Sequence, residues 1–490
     1  MKTWAVLAVI LCYFLALFLV SAVTAGRRKQ ARGKDFFDGG RKSPWWIVAI
    51  SMVGTSISGV TFVSVPGMVE ASLFSYIQMV LGFIAGYVVI AYVLLPLYYR
   101  LDMTSIYGYL EKRFGGRSRL TGSVLFLVSK YLGCGVRMYL TASILQLILF
   151  DSLGVPFWAN VAVTMLIVWG YTFRGGVKTL VWADMLQTLA MVGTVILCIW
   201  LIAKQMGFSL GSMCTAIMDS PMSRTWFFDD LNDKRFFWKQ FLAGLFTTVA
   251  MTGLDQDMMQ KNLSCRNLRE ARKNVLSYGV AFLPVNLLFL ALGVLLYMMK
   301  ASLQLDIPVA DNLFPTIATQ YMPPVVGVLF VLGLVAAGFS SSGSALTALT
   351  SSMTLDIFKA DRRDGGRKLD NVRFRTHIVN AVVMGLIICA FRWVGSQSVI
   401  NAVYTIAGYT YGPLLGLFIY GIVSRRNVRD TIVPFICGVS PLLTYVLAMN
   451  SERWFGGYQM GFENLLVNAA ITMLLLFVTS PTGSARRRSS

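Results

Sequence analysis

The chain has 490 residues, 56% of them hydrophobic and 13% charged, with 43 Lys and Arg against 23 Asp and Glu for a formal charge of +20. Its mean hydropathy is +0.64. This balance excludes a soluble enzyme, a nucleic-acid-binding module and a disordered scaffold; it fits a polytopic membrane protein whose basic residues lie in loops facing water or lipid headgroups.

Apolar runs predict an all-α protein with about thirteen transmembrane helices, starting near residues 3, 45, 74, 120, 156, 178, 237, 275, 323, 375, 399, 431 and 461. The first run, Thr3 to Ala25, has too long an apolar core for a signal peptide and reads as a retained helix. With the N-terminus outside, about three-quarters of the Lys and Arg fall in cytoplasmic loops, among them 26–43, 100–119, 261–273, 359–375 and 424–430. The basic tail Arg486, Arg487 and Arg488 then places the C-terminus in the cytoplasm of a cell, most simply beneath a bacterial inner membrane. The long outer loop 207–236 is aromatic and polar, and partly helical as a lid or packing element would be.

The second span concentrates Gly54, Thr55, Ser56, Ser58, Gly59 and Thr61 at its middle and Pro66 and Gly67 beyond it. Such a helix is expected to unwind, and the freed carbonyls then need a cation, a ligand or another helix; a small-residue packing face is the plainer alternative. The ninth span places Ser340 and Ser344 on one face with Ser341 beside them, hydroxyls suited either to a hard cation or to helix packing.

Asp184 near the start of the sixth span costs roughly 2.5 to 3.5 kcal/mol at membrane depth, where a bound cation or an internal Lys or Arg should offset it; at the interface solvent suffices instead. Asp255 and Asp257, at the end of the seventh span, are expected to pair with their neighbour Lys261. Lys130 and Arg137 lie deep in the fourth span, where Arg137 either pairs, snorkels or attracts a substrate carboxylate. The one histidine, His377, reads as a satisfied or interfacial imidazole, and the seven scattered cysteines as small apolar side chains. There is no P-loop, no HExxH and no nucleophile with a base.

Polar interruptions in the second and seventh spans stand five helices apart, matching two five-helix repeats of inverted topology around a midplane site. The chain divides accordingly into an extra helix and basic loop (1–43), a first repeat (44–204), the outer loop (205–236), a second repeat (237–424) and extra helices with the tail (425–490).

Several stretches carry a family likeness: Trp45-Trp46 before the Gly/Ser-rich helix, 104–114, Trp182 to Gln187, Gln260-Lys261, Ala336 through Asp356, and Gly412-Pro413 to Gly416. On these the chain resembles the sodium:solute symporter family. The resemblance implies a leucine-transporter-type core and sodium-coupled import of a small polar organic solute, such as a sugar, a sugar acid or another small polar molecule, by alternating access; a transporter-fold nutrient sensor or a sodium-independent carrier is the alternative. It further implies a sodium site from the carbonyls of Gly54, Ile57 and Ala337 and the hydroxyls of Ser340 and Ser341. A second sodium would use Asp184, Ser340 and Ser344, although the intervening position, Ser in members with that ion, is Gly343 here. Solute contacts fall on Ser56, Ser58, Thr61 and Gln78, while the Arg that anchors sialic acid in similar symporters aligns near Gly133. The implied partners are the solute, sodium and the lipid bilayer, with no nucleic acid and a monomeric or weakly oligomeric chain.

Overall fold

The computed structural model describes residues 3–25, 35–173, 176–360, 366–394, 399–424, 426–458 and 460–480. The basic stretches 26–34 and 361–365 and the tail Arg486–Arg488 therefore lie outside the described residues.

Among the described residues the secondary structure is helical, apart from one isolated bridge between Ser43 and Cys265. Helix α1 spans Thr3–Ala25. The second span is broken as the sequence predicts: α2 (Trp45–Ser56) and α3 (Gly59–Gly67) meet at a 57° bend. The first half of the chain continues with α4 (Tyr76–Val89), α5 (Gly116–Leu145), α6 (Phe157–Thr172) and α7 (Gly176–Gln205). A short α8 (Leu210–Met218) lies in the long loop and is closed by a reciprocal Ser209–Ser212 capping box.

The span expected near residue 237 is α9 (Phe237–Thr248), a π turn over Val249–Gly253 and then α10 (Gln256–Leu263), whose N-terminus Asp255 caps. There follow α11 (Leu268–Ser302), α12 (Pro324–Ser352), α13 (Gly366–Val394), α14 (Val399–Val423), α15 (Val433–Met449) and α16 (Asn464–Thr479). Among the described residues eight helices are long and apolar enough to cross a membrane, nine if the bent pair is one span, and α6, α15 and α16 are shorter apolar helices.

The core of the bundle is α12, buried on every side from Gly333 to Ser352 and packed against α7, α5, α13 and both halves of the broken span. A helix with no exposed face must be small or apolar all round, and the Ala, Gly and Ser content of this stretch meets that need. Small residues also set the spacing of α4 and α9. A Cβ on Gly82 would lie 2.1 Å from the Phe241 carbonyl oxygen, and one on Gly244 would lie 2.2 Å from that of Met79. Those two backbones touch directly.

At the end of the bundle carrying the basic loops, Arg119 joins Asp356 at 2.8 Å and Glu111 at 2.7 Å, while Ser105 and Ser352 donate to Asp356. Asp430 caps α5 by accepting from the backbone N–H groups of Arg117 and Ser118 at 2.9 and 2.8 Å. His377 is buried between Thr172 and Thr350, 3.0 and 2.9 Å from their hydroxyls, a satisfied imidazole.

Candidate functional site

The break between α2 and α3 is where backbone polarity enters the bundle. The Ile57 N–H still donates to the Val53 carbonyl at 2.9 Å, but the Ser58 N–H turns to the Ser56 carbonyl at 3.2 Å instead of the Gly54 carbonyl that a regular helix would supply. An acceptor at Gly54 is thereby released next to α7 and α12. Gly54 is required there, because a Cβ would stand 1.9 Å from Thr188 Oγ1. Gly59 and Gly338 both close on Thr141 of α5, which seats the broken span against α12.

Of the residues nominated for sodium, Gly54 and Ile57 lie at the end of α2, and Ala337, Ser340 and Ser341 on the buried turn of α12 that packs against it. Ser340 donates to Asp184 Oδ1 at 2.9 Å, and Ser341 donates to the Gly338 carbonyl at 3.0 Å. Both hydroxyl protons are thus engaged on protein oxygens, leaving lone pairs as acceptors.

Asp184 also accepts from Ser344 at 2.9 Å and Thr55 at 3.2 Å, so the three residues nominated for a second sodium do come together. The positive charge beside them is Lys261, whose Nζ lies 2.5 Å from Asp184 Oδ2, with side chains 1% and 0% exposed. Lys261 also donates to Thr55. This corrects the pairing expected from sequence. Lys261 reaches back to Asp184, and Asp255 and Asp257 take Lys130 instead, at 3.1 and 2.8 Å. The α10 turn carries Lys261 away from its sequence neighbours and toward α7.

A cavity opens beside the break, lined by Ser56, Ser58 and Thr61 and by Ser341 across from them. Gln78 does not line it. Its amide donates to the Arg235 carbonyl at 2.7 Å and accepts from the Phe227 N–H at 3.1 Å, so it anchors the long loop. The guanidinium groups of Arg224 and Arg235 sit 4.6 Å from the Phe227 ring centroid and hold the loop over that anchor.

Five tyrosines that sequence reasoning passed over also line the cavity: Tyr76, Tyr87, Tyr278, Tyr404 and Tyr411. Tyr87 donates to Tyr278 at 2.7 Å, Tyr278 bonds Ser56, and Tyr76 bonds Tyr404 at 3.0 Å. The available signal was spacing: Tyr76, Phe83 and Tyr87 recur on one face of α4, as Tyr278 and Phe282 do on α11. Lys130 and Arg137 project into the same space from α5. Lys130 is neutralised by its two carboxylates, whereas the Arg137 guanidinium has no ion pair or hydrogen bond among the described residues.

A helical bundle with a broken span, a fully buried hydroxyl-rich helix against it and one polar cavity at the break defines a secondary transporter. The profile of the sodium:solute symporter family matches residues 36–438. A sodium/sialic acid symporter of Proteus mirabilis is 24% identical over 95% of this chain and 94% of its own length. The human sodium-coupled monocarboxylate transporter 1 is 27% identical over 87% of this chain and 69% of that protein. The substrate-bound outward-open structure of a Na+-coupled sialic acid symporter superposes with a TM-score of 0.80 at 23% identity, covering 97% of both chains. The transporter Mhp1 in a closed conformation superposes at 0.56, with 14% identity and 92% and 94% coverage.

The chain belongs to the sodium:solute symporter family. Its fold is of the leucine-transporter type, and its function is sodium-driven solute symport by alternating access, with sodium as the coupling ion. Family and relatives are transporters, embedded in the membrane by multiple spans.

Proposed function

We propose that this symporter imports a small polar organic acid, of the sugar-acid or related class, together with sodium. The observation that carries the reading is Arg137: a guanidinium without a counter-ion among the described residues, in a cavity lined by the hydroxyls of Ser56, Ser58 and Thr61. A planar double donor suits a carboxylate, and the hydroxyls suit a polyhydroxylated body. Arg137 follows Gly133 by one helical turn on α5, and both face the cavity. The carboxylate anchor that aligns at Gly133 in similar symporters is thus supplied from the next turn. The relatives named above, for sialic acid and for monocarboxylates, also handle acids.

In this reading sodium enters between the carbonyls of Gly54, Ile57 and Ala337 and the hydroxyls of Ser340 and Ser341. Five oxygens from two helices satisfy a hard cation and hold the break of α2 and α3 against α12. Ser56 and Ser58 flank Ile57, so fixing that carbonyl also fixes the two hydroxyls offered to the solute. Solute and ion each stabilise the geometry the other needs, which is positive coupling. Rocking of the bundle then exposes the site to the cytoplasm, where loss of sodium loosens the break. A carboxylate solute carried with one sodium moves no net charge, so the sodium concentration gradient drives uptake, and a tenfold gradient, about 1.4 kcal/mol, supports roughly tenfold accumulation.

The repeats are assigned to 44–204 and 237–424, with the N-terminus outside and the C-terminus inside a bacterial inner membrane. A monomer suffices, because every proposed contact comes from one chain. No covalent chemistry is assigned to any residue.

The test is thermal unfolding of detergent-purified protein against sugars, sugar acids, monocarboxylates, amino acids and nucleosides, each in sodium and in potassium. A sugar acid or related carboxylate that raises the midpoint only in sodium supports the proposal, since a ligand of the folded state stabilises it by mass action. Stabilisation by neutral solutes alone overturns the acid assignment. The Ser340→Ala, Ser341→Ala double variant should lose the sodium requirement, and an unchanged requirement removes those ligands from the site.

A further inference from the structure

The region around Asp184 holds three of the oxygens a second sodium would need, from Asp184, Ser340 and Ser344. Three observations bear on whether an ion belongs there. The Lys261 ammonium lies 2.5 Å from Asp184 Oδ2 and also donates to Thr55, in a pocket where both charged side chains are almost fully buried. Asp184 accepts on both oxygens, from Ser340 on Oδ1 and from Ser344, Thr55 and Lys261 on Oδ2. Gly343, between the two serines, offers no further ligand, and a side chain there would have to displace Tyr171, since a Cβ would stand 2.0 Å from the hydroxyl oxygen that donates to the Phe339 carbonyl at 2.7 Å.

We propose that the Lys261 ammonium is a tethered cation standing in place of a second sodium, so that this symporter binds one sodium per cycle at the shared site. The proposal rests on the sodium site proposed above. A buried carboxylate needs one positive partner, and the α10 turn supplies it covalently. A mobile ion entering beside Asp184 would meet the ammonium at close range without water to screen the repulsion, and would find no hydroxyl at Gly343. The fixed pair then has a positioning role. It draws the Ser340 proton onto Asp184 Oδ1, so that the Ser340 lone pairs are available to the one sodium that is transported. Because Lys261 remains attached, its charge contributes nothing to the ion gradient used per cycle.

The experiment is equilibrium binding of radioactive sodium alone to the detergent-purified full chain at mildly alkaline pH, with protein quantified independently. The expected result for the unmodified protein is one sodium per chain, with a Hill coefficient of one. Lys261→Met retains the apolar stem and removes the charge, so bound sodium should double as an ion takes the vacated place beside Asp184. The Asp184→Asn, Lys261→Met double variant removes both charges and should return binding to one; it also controls for a single variant that fails to fold around an uncompensated carboxylate. Two sodium ions on the unmodified protein, or one on a folded Lys261→Met variant, overturn the tethered-cation proposal while leaving sodium symport intact. No sodium on the unmodified protein overturns the shared site, and the proposal built on it falls with it.

Discussion

Lys130 and Asp257 meet at 2.8 Å beside the cavity, and the same ammonium lies 3.1 Å from Asp255, which also accepts from Tyr411. This cluster ties α5 to the hinge between α9 and α10 and to α14. Deleting one partner from a buried cluster costs about 3–5 kcal/mol, because the remaining charges lose their counter-ion. Lys130→Met should therefore lower the unfolding midpoint of the purified protein by several degrees. Adding Asp257→Asn should recover part of the loss, and failure to recover would locate the damage in packing.

Arg137 has a different consequence, since its guanidinium has no ion pair or hydrogen bond among the described residues. Arg137→Gln should leave the midpoint without solute close to that of the unmodified protein. It should abolish most of the stabilisation by carboxylate solutes, as loss of a charge-assisted bidentate contact of about 1.5–3 kcal/mol, or roughly ten- to hundredfold in affinity, requires. Arg137→Lys keeps the charge but not the fork and should fall between them. Equal stabilisation of all three proteins by the same acid would remove Arg137 from the site.

Gln78 is the anchor of the loop over 206–236. Gln78→Ala leaves the Phe227 N–H and the Arg235 carbonyl without their partner, at a cost of about 1–3 kcal/mol where they are buried. The loop should then be cut by protease faster than in the unmodified protein, while solute affinity in sodium changes little. A large fall in affinity without faster cleavage would instead return Gln78 to the solute site.

The contact of Gly343 with Tyr171 makes a sharp packing test. Gly343→Ser introduces atoms into the space of the Tyr171 hydroxyl and should destabilise by about 1–3 kcal/mol, the usual cost of overpacking. Combining it with Tyr171→Phe, which removes the obstructing oxygen, should restore part of the midpoint, read by thermal unfolding of the four proteins.

Much of the architecture was legible in sequence because a bilayer leaves few choices. Twenty apolar residues must form a helix there, and hydroxyls with Gly and Pro at the middle of such a run must answer to something. The bend at Ile57 and Ser58, the buried face of Ser340 and Ser344 and the need of Asp184 for a positive partner follow from those rules, as does the satisfied state of His377. The cavity tyrosines were harder to see, because an amphipathic ring on a membrane helix serves equally well in packing or at an interface.

What the sequence by itself determined was composition along the membrane normal: which runs are apolar, where polar atoms sit within them and which loops are basic. Only the tertiary structure decided the partnerships. Lys261 stands four and six residues from Asp257 and Asp255 in sequence yet pairs with Asp184 on another helix, while Lys130 crosses the bundle to take the two carboxylates left behind. Gln78, placed by sequence among the solute ligands, bonds the outer loop instead. Local spacing sets the face on which a side chain emerges, but the charge it meets depends on how helices far apart in the chain pack around α12, and in a medium without water each charge takes the counter-ion that this packing brings within reach.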